Sequence, residues 1–210
     1  MTPSARSSTA VIVLTGGGST RMGTHKPALE VGGSSMVERV LAAASGHPTV
    51  VVGAPDRVPD GTVVVREEPP GGGPVAGIAA GLAALGAPPG VRSSTDLELV
   101  AVLAGDLPFL TARHLDELFV ALTSGPLDID RPDVALAVDP AGTANWLCAV
   151  WRGDALARRL EELGDPAGKS VRRLLAGVRQ VHVLDETGWS TDVDTPDELD
   201  AARDRAEPDD

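Results

Sequence analysis

The feature that most constrains the fold is an alternation. Short apolar runs at Ala10 to Leu14, Thr49 to Val52, Thr62 to Val65 and Leu97 to Ala104 are separated by stretches with helical spacing. Met36, Val37, Val40, Leu41 and Ala44 form one such face, behind the capping box Ser35-x-x-Glu38. Val75, Ile78, Ala79, Leu82 and Leu85 form a second, and Leu115, Leu118, Phe119 and Leu122 a third. Strand and helix taking turns means a mostly parallel sheet with helices on both faces. Runs without polar interruption, such as 97–104, fit strands buried on both faces. Later strands are expected at Val134 to Val138, Trp146 to Trp151 and near 179–184, with helices near 153–163 and 169–176. Thr195-Pro196-x-Glu198 opens the last helix, with Thr as N-cap and Pro at the first helical position. Trp146, Trp151 and Cys148 read as core residues of their strand. The pattern implies one domain over 10–203, a flexible segment at 1–9 and an acidic tail at 204–210.

Charge narrows the ligand. The chain carries a net charge of −12, and the tail from Asp204 holds only three of those charges. An acidic surface repels nucleic acid, which needs a basic footprint. Tyr is absent and Phe and Trp total five, so stacking platforms for single strands are scarce. No stretch approaches the roughly 20 apolar residues of a membrane helix. One cysteine excludes an internal disulfide framework and a cysteine zinc cluster. The expectation is a cytoplasmic protein with a small-molecule ligand, and neither nucleic acid nor membrane as partner. Of eighteen basic residues only Lys26 and Lys169 are lysines.

Three loops bear chemistry. Ligands of such sheets bind beyond the carboxyl ends of the strands. The segment Leu14-Thr15-Gly16-Gly17-Gly18-Ser19-Thr20-Arg21-Met22-Gly23-Thr24-His25-Lys26 leaves the first strand there. Its glycines let backbone N–H groups turn inward, and Arg21 and Lys26 add two cations. It is no dinucleotide fingerprint, because Arg21 stands where the third glycine belongs. It is no Walker loop either, because Thr24 follows Gly23. Asp106, in Ala104-Gly105-Asp106-Leu107-Pro108, ends a buried strand and suits Mg²⁺ on a triphosphate. In Asp192-Val193-Asp194 both carboxylates point to one side of an extended chain.

The first loop has the pattern Leu-x-Gly-Gly-x-x-x-Arg-Met-Gly-x-x-Lys, followed by Pro27-Ala28-Leu29 and Gly32-Gly33. It resembles the molybdenum cofactor guanylyltransferase branch of the sugar-nucleotide-type nucleotidyltransferases, a resemblance running from residue 10 to about 203. The resemblance implies a three-layer, Rossmann-like nucleotidyltransferase fold with Mg²⁺ as the working ion. GMP would pass from GTP to the phosphate of molybdopterin, releasing pyrophosphate. It implies transient contact with molybdoenzyme maturation proteins. It assigns catalysis to Arg21, Lys26 and Asp106. Nucleotide binding falls to Leu14, Thr15, Gly16, Gly17, Gly18 and Lys26, with Glu67, Gly73, Pro74 and Asp106. Glu68 competes with Glu67 for that place. Asp106 and Asp194 are the metal candidates, and Asp194 also suits an acceptor contact or a helix flank. The Leu-Thr-Gly-Gly start favours GTP, while the Asp-Val-Asp-Thr-Pro ending looks like cytidylyl relatives of the same pathway. A non-catalytic nucleotide-binding protein of the same fold and a Rossmann dehydrogenase are the other readings.

Overall fold

The computed structural model describes residues 9–16, 26–53, 58–86, 97–124 and 131–207. Nine strands and six helices are laid out in these stretches: β1 (Thr9–Leu14), β2 (Glu30–Val31), β3 (Ser34–Ser35), α1 (Met36–Ala43), β4 (Thr49–Val52), β5 (Val63–Val65), α2 (Pro74–Leu85), β6 (Leu99–Ala104), α3 (Ala112–Thr123), β7 (Val134–Val138), β8 (Ala144–Arg152), α4 (Gly153–Leu163), α5 (Val171–Leu174), β9 (Gln180–Leu184) and α6 (Pro196–Ala206).

Seven strands form one sheet in the order β5-β4-β1-β6-β8-β7-β9, and β2 pairs with β3 apart from it. Every pairing in the large sheet is parallel except the two made by β8. The carboxyl ends of the parallel strands therefore share one edge with the amino end of β8. Helices cover both faces, as the apolar strands require. Val37, Val40, Leu115, Leu118 and Leu122 of α1 and α3 pack on one face. Val75, Ile78, Leu82, Leu156, Val171 and Leu174 of α2, α4 and α5 pack on the other. Burying one such large apolar side chain stabilises by about 1.5–3 kcal/mol. Among the described residues no helix is long and apolar enough to cross a membrane.

Both expected capping boxes form. The Ser35 hydroxyl accepts from the Glu38 amide while Glu38 accepts from the Ser35 amide, and Thr195 and Glu198 repeat the arrangement. The last helix continues to Ala206, three residues beyond the boundary suggested by the tail's charge.

Trp146 departs from its expected place. Trp151 is core at 1% exposure, but Trp146 is 43% exposed. Between β7 and β8 the register jumps from Leu136 paired with Ala149 to Ala137 paired with Asn145. Trp146 to Cys148 thus have no partners on β7, and the Asn145 side chain accepts the Leu147 amide inside the bulge. A bulge re-aims the side chain it carries. The unbroken apolar run from Trp146 to Trp151 gives no hint of it.

Candidate active site

The sheet's order reverses at β1, which has β4 on one side and β6 on the other. In such sheets the crevice opens at this switch point. Leu14 pairs with Ala104, and the Gly105 amide donates to the Leu14 carbonyl at 2.8 Å. On the other side the Thr15 amide and hydroxyl both donate to the Val52 carbonyl, at 2.8 and 3.0 Å. Two glycines permit this closeness. A Cβ on Gly53 would lie 2.6 Å from the Thr15 hydroxyl, and φ there is +130°. A Cβ on Gly105 would lie 3.0 Å from the Thr15 methyl. The chain is thereby held until Gly16, which emerges exposed at the mouth.

On the β4 side of the mouth, Glu67 stands beside Gly16. A Cβ built on Gly16 would be 3.9 Å from Glu67 Oε1, which accepts the Gly71 amide at 3.1 Å. Glu68 is exposed. Gly73, at φ +88°, is the N-cap of α2, and Pro74 is its first residue. The Gly72 carbonyl accepts the Gly168 amide, which brings the turn before Lys169 beside this loop.

The centre of the crevice is charged. Lys26 begins a short 3-10 turn, and its side chain is 5% exposed. Its ammonium donates to Asp106 Oδ2 and to Asp194 Oδ1, each at 2.5 Å. Lys26 and Asp194 are 168 residues apart in sequence. Three packing features bring them together. Arg39 of α1 holds the Val31, Gly32 and Pro108 carbonyls, tying the segment after Lys26 to the segment after Asp106. Val193 is buried with Val31, Met36, Leu199 and Ala202. The Val193 amide donates to the Asp106 carbonyl at 3.3 Å, so Asp192 and Asp194 flank a fixed point.

Electrostatics follow from burial. Burial raises the Asp106 carboxyl above its ordinary range, more than the Lys26 ammonium lowers it. Burial alone would lower Lys26, but Asp106 and Asp194 together outweigh it and raise the ammonium. Asp192 is raised by burial, with the charges of Asp106 and Asp194 adding to it. Asp106 Oδ1 is buried and has no hydrogen-bond partner among the described residues. A buried carboxylate oxygen without a donor is costly, and such an atom marks a place for a cation. Among the described residues no three His, Cys, Asp or Glu side chains are set to cage a metal. Mg²⁺ keeps several waters and takes one or two carboxylates together with substrate phosphates. Hard oxygen donors at Asp106 and Asp194 fit that ion.

The structure thus brings together Leu14, Thr15, Gly16, Lys26, Asp106 and Asp194, with Glu67, Gly73 and Pro74 on the β4 side. Gly17, Gly18 and Arg21 lie outside the described residues, as does most of the flexible segment expected at 1–9. Two further side chains belong to this neighbourhood. Asp192 adds a third carboxylate, visible in the sequence as half of the Asp-x-Asp pair. Asp185 follows β9 and is buried, and no spacing singled it out. It accepts the amides of Thr187, Gly188, Trp189 and Ser190 and the Ser190 hydroxyl. The turn signal Thr187-Gly188 after an Asp was the available clue.

Comparison with known proteins agrees with this layout. Residues 11–183 match the family model described as the MobA-like NTP transferase domain. The chain is 32% identical over 197 residues to a probable molybdenum cofactor guanylyltransferase of Mycolicibacterium paratuberculosis, covering 90% of this chain and 92% of that one. It is 36% identical over 160 residues to a probable molybdenum cofactor guanylyltransferase of Mycobacterium tuberculosis, covering 73% and 72%. Its fold is similar to molybdopterin-guanine dinucleotide biosynthesis protein A of Archaeoglobus fulgidus, with TM-score 0.68, 23% identity and coverage of 93% and 97%. It is also similar in fold to 2-C-methyl-D-erythritol 4-phosphate cytidylyltransferase of Thermus thermophilus, with TM-score 0.64, 20% identity and the same coverage.

Proposed function

The chain belongs to the MobA-like NTP transferase family, and from that premise we propose that it transfers GMP from GTP to the phosphate of molybdopterin. The observation that carries the reading is the buried Lys26 ammonium held between Asp106 and Asp194 at the switch point. It sets a cation and two carboxylates where Lys26, the end of β6 and the Asp192–Asp194 segment meet.

In the proposed reaction an acceptor phosphate oxygen attacks the α-phosphorus. The bond from that phosphorus to the bridging oxygen breaks, and pyrophosphate leaves. The acceptor is already ionised, so no general base is demanded. What the chain supplies is position and charge neutralisation. Backbone groups of Leu14 to Gly18 hold the guanine, and Glu67, Gly73 and Pro74 flank it. Lys26 and Arg21 meet the triphosphate. Asp106 and Asp194 would hold Mg²⁺, which when bound neutralises charge on the phosphates.

Guanine is favoured by the Leu14-Thr15-Gly16-Gly17 start and by the guanylyltransferase names of the curated relatives. Cytidylyl transfer is the second reading, favoured by Asp192-Val193-Asp194. The test is pyrophosphate release with molybdopterin, Mg²⁺ and each of GTP, CTP, ATP and UTP. Release with GTP above all others supports the reading. Release with CTP instead replaces it with the second. No release with any of the four sinks both.

A further inference from the structure

The five aromatic rings of Phe and Trp are few enough to account for one by one. Trp151 is core, and Phe119 is buried against α3's neighbours. Trp189 is 3% exposed and stacks on His114, ring centroids 4.7 Å apart. Phe109 lies under the Arg205 guanidinium, 3.6 Å from its centroid. Trp146 is the exception. It is 43% exposed, and no ring or cation contact is formed with it among the described residues.

Its position gives that exposure a use. Because β8 runs against β6, the amino end of β8 comes to the edge where Asp106 emerges. Leu103 pairs with Cys148, and the same register sets Trp146 abreast of the turn that begins at Gly105. The bulge turns Trp146 outward, and Asn145 fixes the bulge by donating from its amide side chain to the Ser190 carbonyl at 2.7 Å. Ser190 belongs to the loop locked on Asp185, two residues before Asp192. The ring therefore stands on an anchored strand end, one strand over from the turn that carries Asp106. That strand end lies across β6 from Gly16 and Glu67.

We propose that Trp146 is the stacking platform for the flat heteroaromatic ring of the acceptor, holding its phosphate toward the Lys26–Asp106 centre. A planar ring offers its whole face to such a ligand. The inference rests on the acceptor assignment made above. Stacking of a flat heterocycle on a protein ring is worth about a tenfold to hundredfold change in affinity.

The experiment compares wild type with W146F, W146L and W146A. Each is checked for an unchanged thermal midpoint, measured by calorimetry for molybdopterin binding, and assayed for pyrophosphate release. The expected result is an acceptor Kd and KM raised at least about tenfold in W146A and W146L and nearly restored in W146F. The KM for GTP and kcat stay near wild type. Equal acceptor binding by wild type and W146A overturns the stacking role and leaves the acceptor assignment standing. A rise in the KM for GTP alone also overturns it. No binding of molybdopterin by wild type sinks the acceptor assignment itself, and this proposal with it.

Discussion

Two aspartates, one buried and one half-buried, leave the same edge of the sheet and meet opposite surroundings. Asp185, after β9, has donors on both oxygens: three amides on Oδ1, and an amide and a hydroxyl on Oδ2. Burial pulls its carboxyl upward, but the Ser190, Trp189 and Thr187 donors outweigh that and hold it below the usual range. Asp106, after β6, has Lys26 on one oxygen and nothing among the described residues on the other. Its carboxyl is raised. The difference teaches that a satisfied carboxylate builds the wall, while a half-satisfied one is available to a ligand.

That contrast can be broken most directly at Asp106. D106A is expected to lower kcat/KM for pyrophosphate release by about a thousandfold, with a thermal midpoint within about two degrees of wild type. A collapse of the fold instead would make the two aspartates alike. K26A is expected to cost about a hundredfold in the same assay. It also leaves Asp106 and Asp194 without their shared cation, so its midpoint falls below that of D106A. D185N should do the reverse of D106A. Denaturant unfolding is expected to show a loss of about 3 kcal/mol, since a neutral amide cannot serve five donors. At saturating acceptor and low temperature, kcat per folded molecule stays near wild type.

Acid sharpens the same point. A folded carboxyl held below its unfolded value contributes stability that is fully present above about pH 3.9 and is lost as pH falls through the folded value. Wild type is therefore expected to lose more stability than D185N between pH 4 and 2. Parallel loss in both would deny Asp185 its special standing. The smallest effect serves as a control away from the crevice. S35A removes a helix cap and is expected to cost about 1 kcal/mol by denaturant unfolding, with kcat/KM changed less than twofold.

Much of the fold was legible because its causes are local. The strands from Ala10 to Leu14 and from Thr49 to Val52 announce themselves by unbroken apolar runs, and the boxes at Ser35 and Thr195 by residues three apart. Family membership was legible in one thirteen-residue loop. What local pattern cannot carry is who meets whom. Lys26 reaches Asp194 only because Val193 is buried against Val31 and Leu199 and so brings its neighbours in. Glu67 and Glu68 are equal in sequence, and only the backbone's course after β5 brings the first toward Gly16. Trp146 reads as core in the sequence because its unbroken apolar run continues through a bulge that changes direction without changing composition.

The reversed direction of β8 has a consequence for how such a protein can change. Strands that run with the sheet reach the working edge only after passing through the core, so altering their final residues disturbs packed neighbours. β8 arrives from outside, through the short connection at 139–143 that follows β7. That connection can be lengthened, shortened or exchanged while Cys148 to Arg152 keep their pairing with β6. One wall of the crevice is thus replaceable as a cassette, without rebuilding the β4 side across β6.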